Sequence, residues 1–262
     1  MFQPAIPLSG LVGWRFVQST YTAQRTAFDA SPQLKRETDY FREKIGSITS
    51  AQDLVADRQL MTVTLGAFGL QDDINNRYFI QKMLEEGTTA PDALANRFTD
   101  TRYRDMSEAF GFGPTELTRT GFSDFADTIV EKYLTNSFEI AAGNVDETMR
   151  FALYVQRTLP EVSGEDGSEA QKWFTIMGQA PLRAVFETVF NLPQSFGQTD
   201  IDQQLRVFQA RSQSEFGSSD PAQFLDSEKL DDLVTKYVAR AQISQFQASV
   251  SSQTIALQLL GG

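Results

Sequence analysis

Adjacent acidic residues are the groups in this sequence that come nearest to catalytic chemistry. They form three pairs, Asp72–Asp73, Glu85–Glu86 and Asp231–Asp232. Two carboxyl groups that face each other could share a proton, as general acid and base, or bind a hard cation such as Ca²⁺. Neighbouring residues on a helix point about 100° apart, so each pair is poorly placed for either task. We therefore interpret the pairs as helix-capping and solvated groups.

Composition removes several classes of enzyme. The 262 residues include neither Cys nor His, so the chain lacks thiolate nucleophiles, the commonest general base and the commonest metal ligand. Ser-His-Asp hydrolysis and Cys-ligated or His-ligated metal centres therefore cannot be built from it. The 23 basic and 34 acidic residues leave a net charge of −11, whereas nucleic acid binding requires clustered Lys and Arg. Nucleic acid is not a predicted partner, and a carboxylate-based enzyme is the less favoured alternative.

Two further clusters could bind small groups. Residues 165–169, Glu-Asp-Gly-Ser-Glu, lack the alternating ligands of an EF-hand loop and read as a solvated linker. Arginines surround Tyr103 and could hold a carboxylate or phosphate; they are Arg97, Arg102, Arg104 and Arg119. Acidic residues lie among them, so local ion pairs on an exposed helix are the simpler interpretation. We predict no catalytic residue, no metal ligand and no cofactor.

The elements that would position any site are helices. Apolar residues recur at i, i+3, i+4 and i+7 from Leu34 onward, which predicts an all-α multihelical bundle. Gly residues just past several predicted ends act as stop signals. Residues 160–168 are predicted to be the clearest loop and Gly111–Gly121 the next. The predicted helices cover residues 34–45, 51–68, 72–86, 90–98, 100–110, 123–141, 145–158, 169–190, 199–214 and 221–258.

The two halves of the chain resemble each other at an offset of 122 residues. At this spacing Ala67–Leu70 matches Val189–Leu192, each closing a helix with Gly or Asn. Two interpretations stay open, a true internal duplication and two similar helical hairpins in one bundle. The organisation that we predict is an N-terminal arm (1–33), helical repeat 1 (34–111), connecting helices with an acidic loop (112–168), helical repeat 2 (169–240) and a charge-free C-terminal helix (241–262).

The C-terminal segment carries the strongest pattern in the sequence. No residue from Ala241 to Gly262 is charged, and six positions recur at the 3-4-3-4-3 spacing of a helix seam: Ile243, Phe246, Val250, Gln253, Leu257 and Leu260. Burying the five apolar members would contribute about 7 to 15 kcal/mol. Ordering 18 residues costs about 1 to 2 kcal/mol each. An isolated helix would therefore not be stable, and the segment must pack on its own domain or on another chain.

The N-terminal arm is nearly as poor in charge. Pro4, Pro7, Gly10 and Gly13 are expected to break regular structure before a short helical stripe that includes Trp14. We predict an interface at the two ends of the chain, formed by Trp14, Ile243, Phe246, Val250, Leu257 and Leu260, unless the two ends cover each other within one molecule. No apolar run is long enough to span a membrane, and no cleaved signal peptide is recognisable, so cytoplasmic residence and export by a machine that reads no cleaved signal both stay open.

Several sequence words resemble those of one uncharacterised family. They are PLSGLVGWRF (7–16), DYFREKI (39–45), DLVADR (53–58), AFGL (67–70) and DTRYR (100–104). The family is alphaproteobacterial, multihelical and of unknown function, and its members are often encoded in flagellar gene clusters. The resemblance carries no assigned catalytic or binding residues.

This resemblance implies a non-enzymatic flagellum-associated structural part or assembly accessory that works through helix-mediated protein contacts. Its partners would be flagellar components or a second copy of itself. The alternative is a cytoplasmic export chaperone or regulator whose acidic surface shields a partner's helix.

Overall fold

The computed structural model describes residues 3–98 and 100–260, with the side chains of Gln194 and of residues 248–260 left out of the description. Within that part of the chain it contains thirteen α-helices and no β-strand. The prediction of an all-α multihelical fold is confirmed. The chain divides into two compact units, one of Tyr21–Ala141 with the residues up to Pro4, the other of Ala5–Thr20 with the residues from Ala142 onward.

The first unit is built from the middle of the chain. Its helices are α1 (Gly10–Asp29, from Tyr21), α2 (Pro32–Lys44), α3 (Ala51–Ala56), α4 (Arg58–Ala67), α5 (Arg77–Glu86), α6 (Leu94–Arg97), α7 (Arg102–Phe110) and α8 (Phe125–Gly143, up to Ala141). Within this unit α2 packs on α4, and α3 packs on α5. The loop predicted at Gly111–Gly121 lies between α7 and α8.

The second unit contains the first half of α1 and the residues from Ala142 onward. Its other helices are α9 (Glu147–Gly164), α10 (Glu169–Gly178), α11 (Ala180–Val189), α12 (Ile201–Phe216) and α13 (Ser227–Leu260). Helix α11 packs on α9, α10 packs on α12, and α13 packs on both α9 and α11. The boundaries between the two compact units lie inside helices α1 and α8. They do not test the predicted division of the sequence into five segments, which stays a prediction.

Each unit has a helix broken at one residue, and the two breaks are 122 residues apart. Asp57 separates α3 from α4 with φ −99° and ψ 108°, and Gln179 separates α10 from α11 with φ −95° and ψ 107°. The single helices predicted at 51–68 and 169–190 are therefore wrong at these points. In both units a tyrosine from an earlier helix donates a hydrogen bond to the side chain at the break. Tyr40 of α2 donates to Asp57 at 2.6 Å, and Tyr154 of α9 donates to Gln179 at 2.9 Å.

The following helices also end alike. Gly69 (φ 70°) and Asn191 (φ 52°) both adopt the left-handed conformation, and Asn191 is the one non-Gly residue with positive φ in the described chain. The N–H of Leu70 donates to the carbonyl of Leu65 at 2.8 Å, and that of Leu192 donates to Glu187 at 2.9 Å. This six-residue closure is the Schellman motif, which favours Gly or Asn at the left-handed position. The matching backbones support the interpretation of the halves as a duplication.

The offset changes after these caps. The 3₁₀ turn of the first unit is Gln71–Asp73, whereas that of the second is two residues longer, Gln194–Gln198. Helices α5 and α12 consequently correspond at an offset of 124, which aligns Leu84 with Phe208, both buried. A uniform offset of 122 would instead align Phe79 with Ile201, which is exposed.

A long helix completes each unit. In the first unit α8 lies against α2 and α4, since Tyr133 donates to Glu37 at 2.6 Å and Asn136 donates to the carbonyl of Ala67 at 2.7 Å. In the second unit α13 occupies the corresponding place on α9 and α11. Helix α7 packs on α5 instead.

Two expected breaks do not coincide with helix ends. Gly13 lies inside α1, and Pro160 lies inside α9, which continues to Gly164. The buried side chains of Leu159 and Val162 flank Pro160, and their packing outweighs the lost backbone N–H. Conversely, the helix predicted at 221–258 is interrupted, because extended backbone at Asp226 separates a 3₁₀ turn (Pro221–Leu225) from α13.

Candidate interaction site

Helix α13 presents one apolar stripe to its own unit. It begins after Asp226, whose carboxylate accepts the N–H of Glu228 at 2.8 Å and so satisfies a free donor of the first turn. Its buried apolar residues are Leu230, Leu233, Val234, Tyr237 and Val238. Their spacing places them on one face, which packs against α9 and α11. This first half of α13 is therefore part of the core.

Charged residues of α13 are concentrated in the same half. Lys236 contacts Asp232 at 2.8 Å, and Arg240 contacts Glu215 of α12 at 3.2 Å. Burial raises the pKa of Tyr237, and the nearby carboxylates of Glu147 and Asp146 raise it further. Arg240 is the last charged residue in the chain. The electrostatic anchoring of the helix thus ends where the predicted seam begins.

The first two members of that seam lie on the outside of α13. Ile243 is 57% exposed and Phe246 is 67% exposed. At about 100° per residue, both positions lie on the side of the helix opposite the buried stripe of Leu230 and Val234. The apolar face of this one helix therefore changes sides near Arg240. Val250, Leu257 and Leu260 complete the predicted interface, and their side chains lie outside the described residues.

Trp14 does not share this exposure. It is 1% exposed and belongs to the core of the second unit, so it does not present the accessible surface that the sequence suggested. Its indole Nε1 has no hydrogen-bond partner among the described residues. At Trp14 the low charge of the N-terminal arm therefore reflects packing in the core. Apolar composition alone does not distinguish a buried position from an interface.

The start of α1 reaches α13 close to the exposed residues. Gly10 has φ 68°, and a Cβ there would lie 2.1 Å from the Oε1 atom of Gln242. Near this contact Leu8 is 58% exposed and Val12 is 62% exposed. Sequence reasoning did not single out Leu8 and Val12. The signal available for them was the position of two apolar residues around a glycine in an arm without charge.

The members of each acidic pair have separate local environments. Asp73 accepts from Tyr103 and Asn76, Glu85 from Gln81, Glu86 from the N–H of Leu94, Asp231 from Gln18, and Asp232 pairs with Lys236. Burial and the hydrogen bond to Asp73 both raise the pKa of Tyr103. Among the described residues no group of three or more acidic side chains could hold a metal ion. Five of the six carboxylates therefore accept hydrogen bonds from neighbouring groups.

The arginine cluster around Tyr103 contains local ion pairs. Arg102 contacts Asp100 at 2.6 Å, and Arg104 lies 3.9 Å from Asp105. Burial alone would raise the pKa of Asp100, but the hydrogen bond and charge of Arg102 outweigh it and lower that pKa. At least two of the four arginines are thus engaged by neighbours on the same stretch of chain.

Another carboxylate fixes the loop that precedes α8. Glu116 accepts hydrogen bonds from the backbone N–H groups of Thr88 and Thr89, at 2.5 and 3.1 Å, and from both of their hydroxyl groups. Burial would raise the pKa of Glu116, but these hydrogen bonds outweigh it and lower that pKa. The carboxylate is thereby used to hold the loop and is not directed at an open site.

Fold and site together define an all-α protein whose most distinctive exposed feature is the outer face of a long C-terminal helix. The chain belongs to the DUF1217 family, described as proteins of unknown function, whose family model matches residues 67–249. A crystal structure of a protein from Agrobacterium tumefaciens, determined by a structural genomics consortium, is similar at 25% identity and a TM-score of 0.74. That match covers 93% of this chain and 99% of the Agrobacterium chain. No curated protein matches this chain.

These comparisons confirm membership of a family of unknown function with a relative in an alphaproteobacterium. None of the helices within the described residues is both long and apolar enough to cross a membrane.

Proposed function

We propose that this protein is a non-enzymatic accessory or minor structural part of the bacterial flagellum that acts through helix-mediated protein contacts. The observation that carries the proposal is the outer face of α13, where Ile243 and Phe246 are exposed on a helix that continues without charge to Leu260. Contiguous exposed apolar surface is typical of protein interaction sites. The association with the flagellum rests on the resemblance of the sequence words to a family often encoded in flagellar gene clusters.

A second candidate is a cytoplasmic export chaperone or regulator. The observation that favours it is the net charge of −11, which would keep a complex soluble while α13 shields an apolar helix of the exported partner. Cell fractionation distinguishes the two. Recovery with sheared filaments or basal bodies supports a structural part, whereas a strictly cytosolic pool supports the chaperone.

Motility of a deletion strain tests the flagellar role. We expect reduced swimming and fewer or shorter filaments, restored by the wild-type gene. Normal swimming and normal filaments in the deletion strain would contradict both candidates. Complementation by Ile243→Ser tests the role of the outer face, because this change removes apolar surface from an exposed position and leaves the buried stripe intact.

The design of a truncation follows from the contacts of α13. Deleting residues 241–262 would also remove Gln242 and Gln245, which contact the start of α1 and the start of α9. Deleting residues 248–262 keeps both contacts. We expect the shorter deletion to retain the cooperative melting of the wild type and to lose partner binding in co-purification. Retained binding would show that the segment is not the contact element.

A further inference from the structure

Helix α13 extends beyond the starts of the two helices that lie beside it. Gly10, the first residue of α1, approaches Gln242, and Thr148, near the start of α9, accepts a hydrogen bond from Gln245 at 3.2 Å. Helix α13 continues for fifteen residues past Gln245, to Leu260, which is about 22 Å at 1.5 Å per residue. The exposed residues Ile243 and Phe246 therefore lie where the neighbouring helices start, and the backbone of α13 continues past that point.

The first unit shows what covers the corresponding face of its own long helix. One side of α8 packs on α2 and α4 through Tyr133 and Asn136. The opposite side packs on α1, where the ring of Phe138 makes edge contacts with Tyr21 and Phe28 at 5.4 Å between centroids. In the second unit the first half of α1 lies beside α13, from Gln18 at Asp231 to Gly10 at Gln242. Since α13 continues to Leu260, beyond the first residue of α1, a helix that covers residues 243–260 in the same way would come from elsewhere.

The chemistry of the face restricts that helix. It must match a stretch without a single charge from Ala241 to Gly262, whereas the remainder of the chain carries all of the net charge of −11. The one polar position in the predicted seam is Gln253, whose amide both donates and accepts hydrogen bonds and so can pair with another glutamine amide. A parallel, in-register pairing of identical segments places Gln253 opposite Gln253, whereas an antiparallel pairing places it opposite Val250.

We propose that residues 243–260 pair with the same residues of a second copy of this chain, as a parallel two-stranded coiled coil. This proposal rests on the proposed function, because it identifies the partner of the helix that carries that function. It would be an isologous contact about a two-fold axis, the commonest symmetry of soluble oligomers. A polar residue within such a seam specifies register and the number of strands at some cost in stability.

Sedimentation equilibrium of the full chain tests the pairing. We expect a mass approaching twice the monomer's 29.3 kDa between about 1 and 100 µM. Ile243→Ser should raise the dimer Kd at least tenfold, because it removes apolar surface from the paired face. Ser244→Ala is the matched control, since Ser244 is the next residue and is also exposed, and it should leave the Kd unchanged. A wild-type chain that stays monomeric throughout this range would overturn the proposal.

The absence of cysteine from the chain allows a second, geometric test. Ile243→Cys places one thiol at the first layer of the seam, and Ser244→Cys places it about 100° round the helix. Under mild oxidation we expect a disulfide-linked dimer from Ile243→Cys and at least fivefold less from Ser244→Cys. Equal cross-linking of the two variants would indicate random collision and overturn the pairing. Cross-linking of neither, with a dimeric mass, would overturn the parallel register.

Failure of this inference can be distinguished from failure of the proposed function. A monomeric protein whose Ile243→Ser variant still fails to restore swimming would mean that α13 binds a different protein, which overturns self-pairing alone. A dimer that is lost in Ile243→Ser, in cells that swim normally, would support self-pairing and contradict the flagellar role of the face. Circular dichroism of each variant should match the wild type, which shows that loss of pairing is not loss of folding.

Discussion

Residues 51–70 of the first unit and residues 173–192 of the second have the same backbone and different side chains inside it. Ala51 and Trp173 are equivalent and both are buried, as are Thr64 and Phe186. In the second unit the ring of Trp173 lies 5.2 Å from that of Phe186 and 5.6 Å from that of Phe208. One half therefore places aromatic rings at positions where the other has small or aliphatic residues.

The difference separates two kinds of sequence information. The helix break and the left-handed cap are local, and they recur because Asp, Gln, Gly and Asn suit those backbone conformations. The volume at each core position depends on partners from other helices, so it changes whenever the whole cluster changes together. The same pattern of helix, break and cap can thus occur with a differently packed interior.

Truncation of Trp173 is expected to have the largest effect on stability among the changes that distinguish the two units. Trp173→Ala should lower the free energy of unfolding by about 3 to 5 kcal/mol, because it leaves a cavity and removes the hydrogen bond from Nε1 to the carbonyl of Ser219 at 2.8 Å. Ala51→Gly at the equivalent position should cost about 0.5 to 1 kcal/mol. Urea unfolding followed by circular dichroism measures both. Equal losses would contradict the larger contribution of Trp173 to the packing of its unit.

Substitutions at the two left-handed cap residues, Gly69 and Asn191, should have the next largest effect on stability. Gly69→Ala should destabilise the protein by about 1 to 2 kcal/mol, because φ is 70° there. Gly69→Asn should cost less, since Asn already occupies the equivalent position 191 at φ 52°. Asn191→Gly should be neutral or slightly stabilising. Thermal melting compares the three variants, and an equal cost for Ala and Asn at position 69 would contradict a shared cap.

The helix breaks should differ in their response to acid. Burial alone would raise the pKa of Asp57, but hydrogen bonds from Tyr40 and from the N–H groups of Leu60 and Gln59 outweigh it and lower that pKa. The carboxylate therefore stabilises the fold above its unfolded pKa of about 4, and this contribution is lost as the pH falls through the lower folded pKa.

The size of that contribution should be about 1 kcal/mol, typical of a helix N-cap. Asp57→Asn retains the capping oxygen and should be less sensitive than the wild type to a change from pH 6 to pH 3, measured by urea midpoints. Gln179→Ala is the comparison in the second unit, and its effect should be the same at both pH values because Gln179 does not titrate. A wild type and an Asp57→Asn variant with parallel pH profiles would contradict this assignment.

The smallest expected effect is a gain. The hydroxyl of Thr64 is buried and has no hydrogen-bond partner among the described residues. Thr64→Val keeps the shape of the side chain and removes the unsatisfied group, so it should stabilise the protein by about 0.5 to 1 kcal/mol. A rise in the melting temperature checks the prediction, and Thr62→Val serves as a half-buried control whose hydroxyl donates to the carbonyl of Arg58.

Sequence periodicity was sufficient to predict the all-α class and most helices, because an amphipathic stripe shows which residues face the core. It missed the breaks at Asp57 and Gln179, since one extended residue leaves the apolar spacing almost unchanged. It also placed a break at Gly13, where the glycine is required for a different reason: a Cβ there would lie 1.8 Å from the carbonyl oxygen of Leu8.

The candidate site divides in the same way. The exposure of Ile243 and Phe246 was predictable, because an apolar seam that follows the last charged residue is out of phase with the stripe before it. The burial of Trp14 was not, because it depends on elements that are distant along the chain. Periodicity describes one helix at a time, whereas burial depends on which helices meet.

The order of synthesis gives the pairing of α1 with α13 a further consequence. Gln18 of α1 donates to Asp231 of α13 at 3.1 Å across 213 residues of sequence, within the second unit. At about 5 to 20 residues per second, the ribosome takes about 10 to 40 s to make the partner of that glutamine. Residues 21–141, which form most of the other unit, have all been made by then. Helix α1 is thus made well before α13, and Gln18 cannot form this contact until Asp231 has been made.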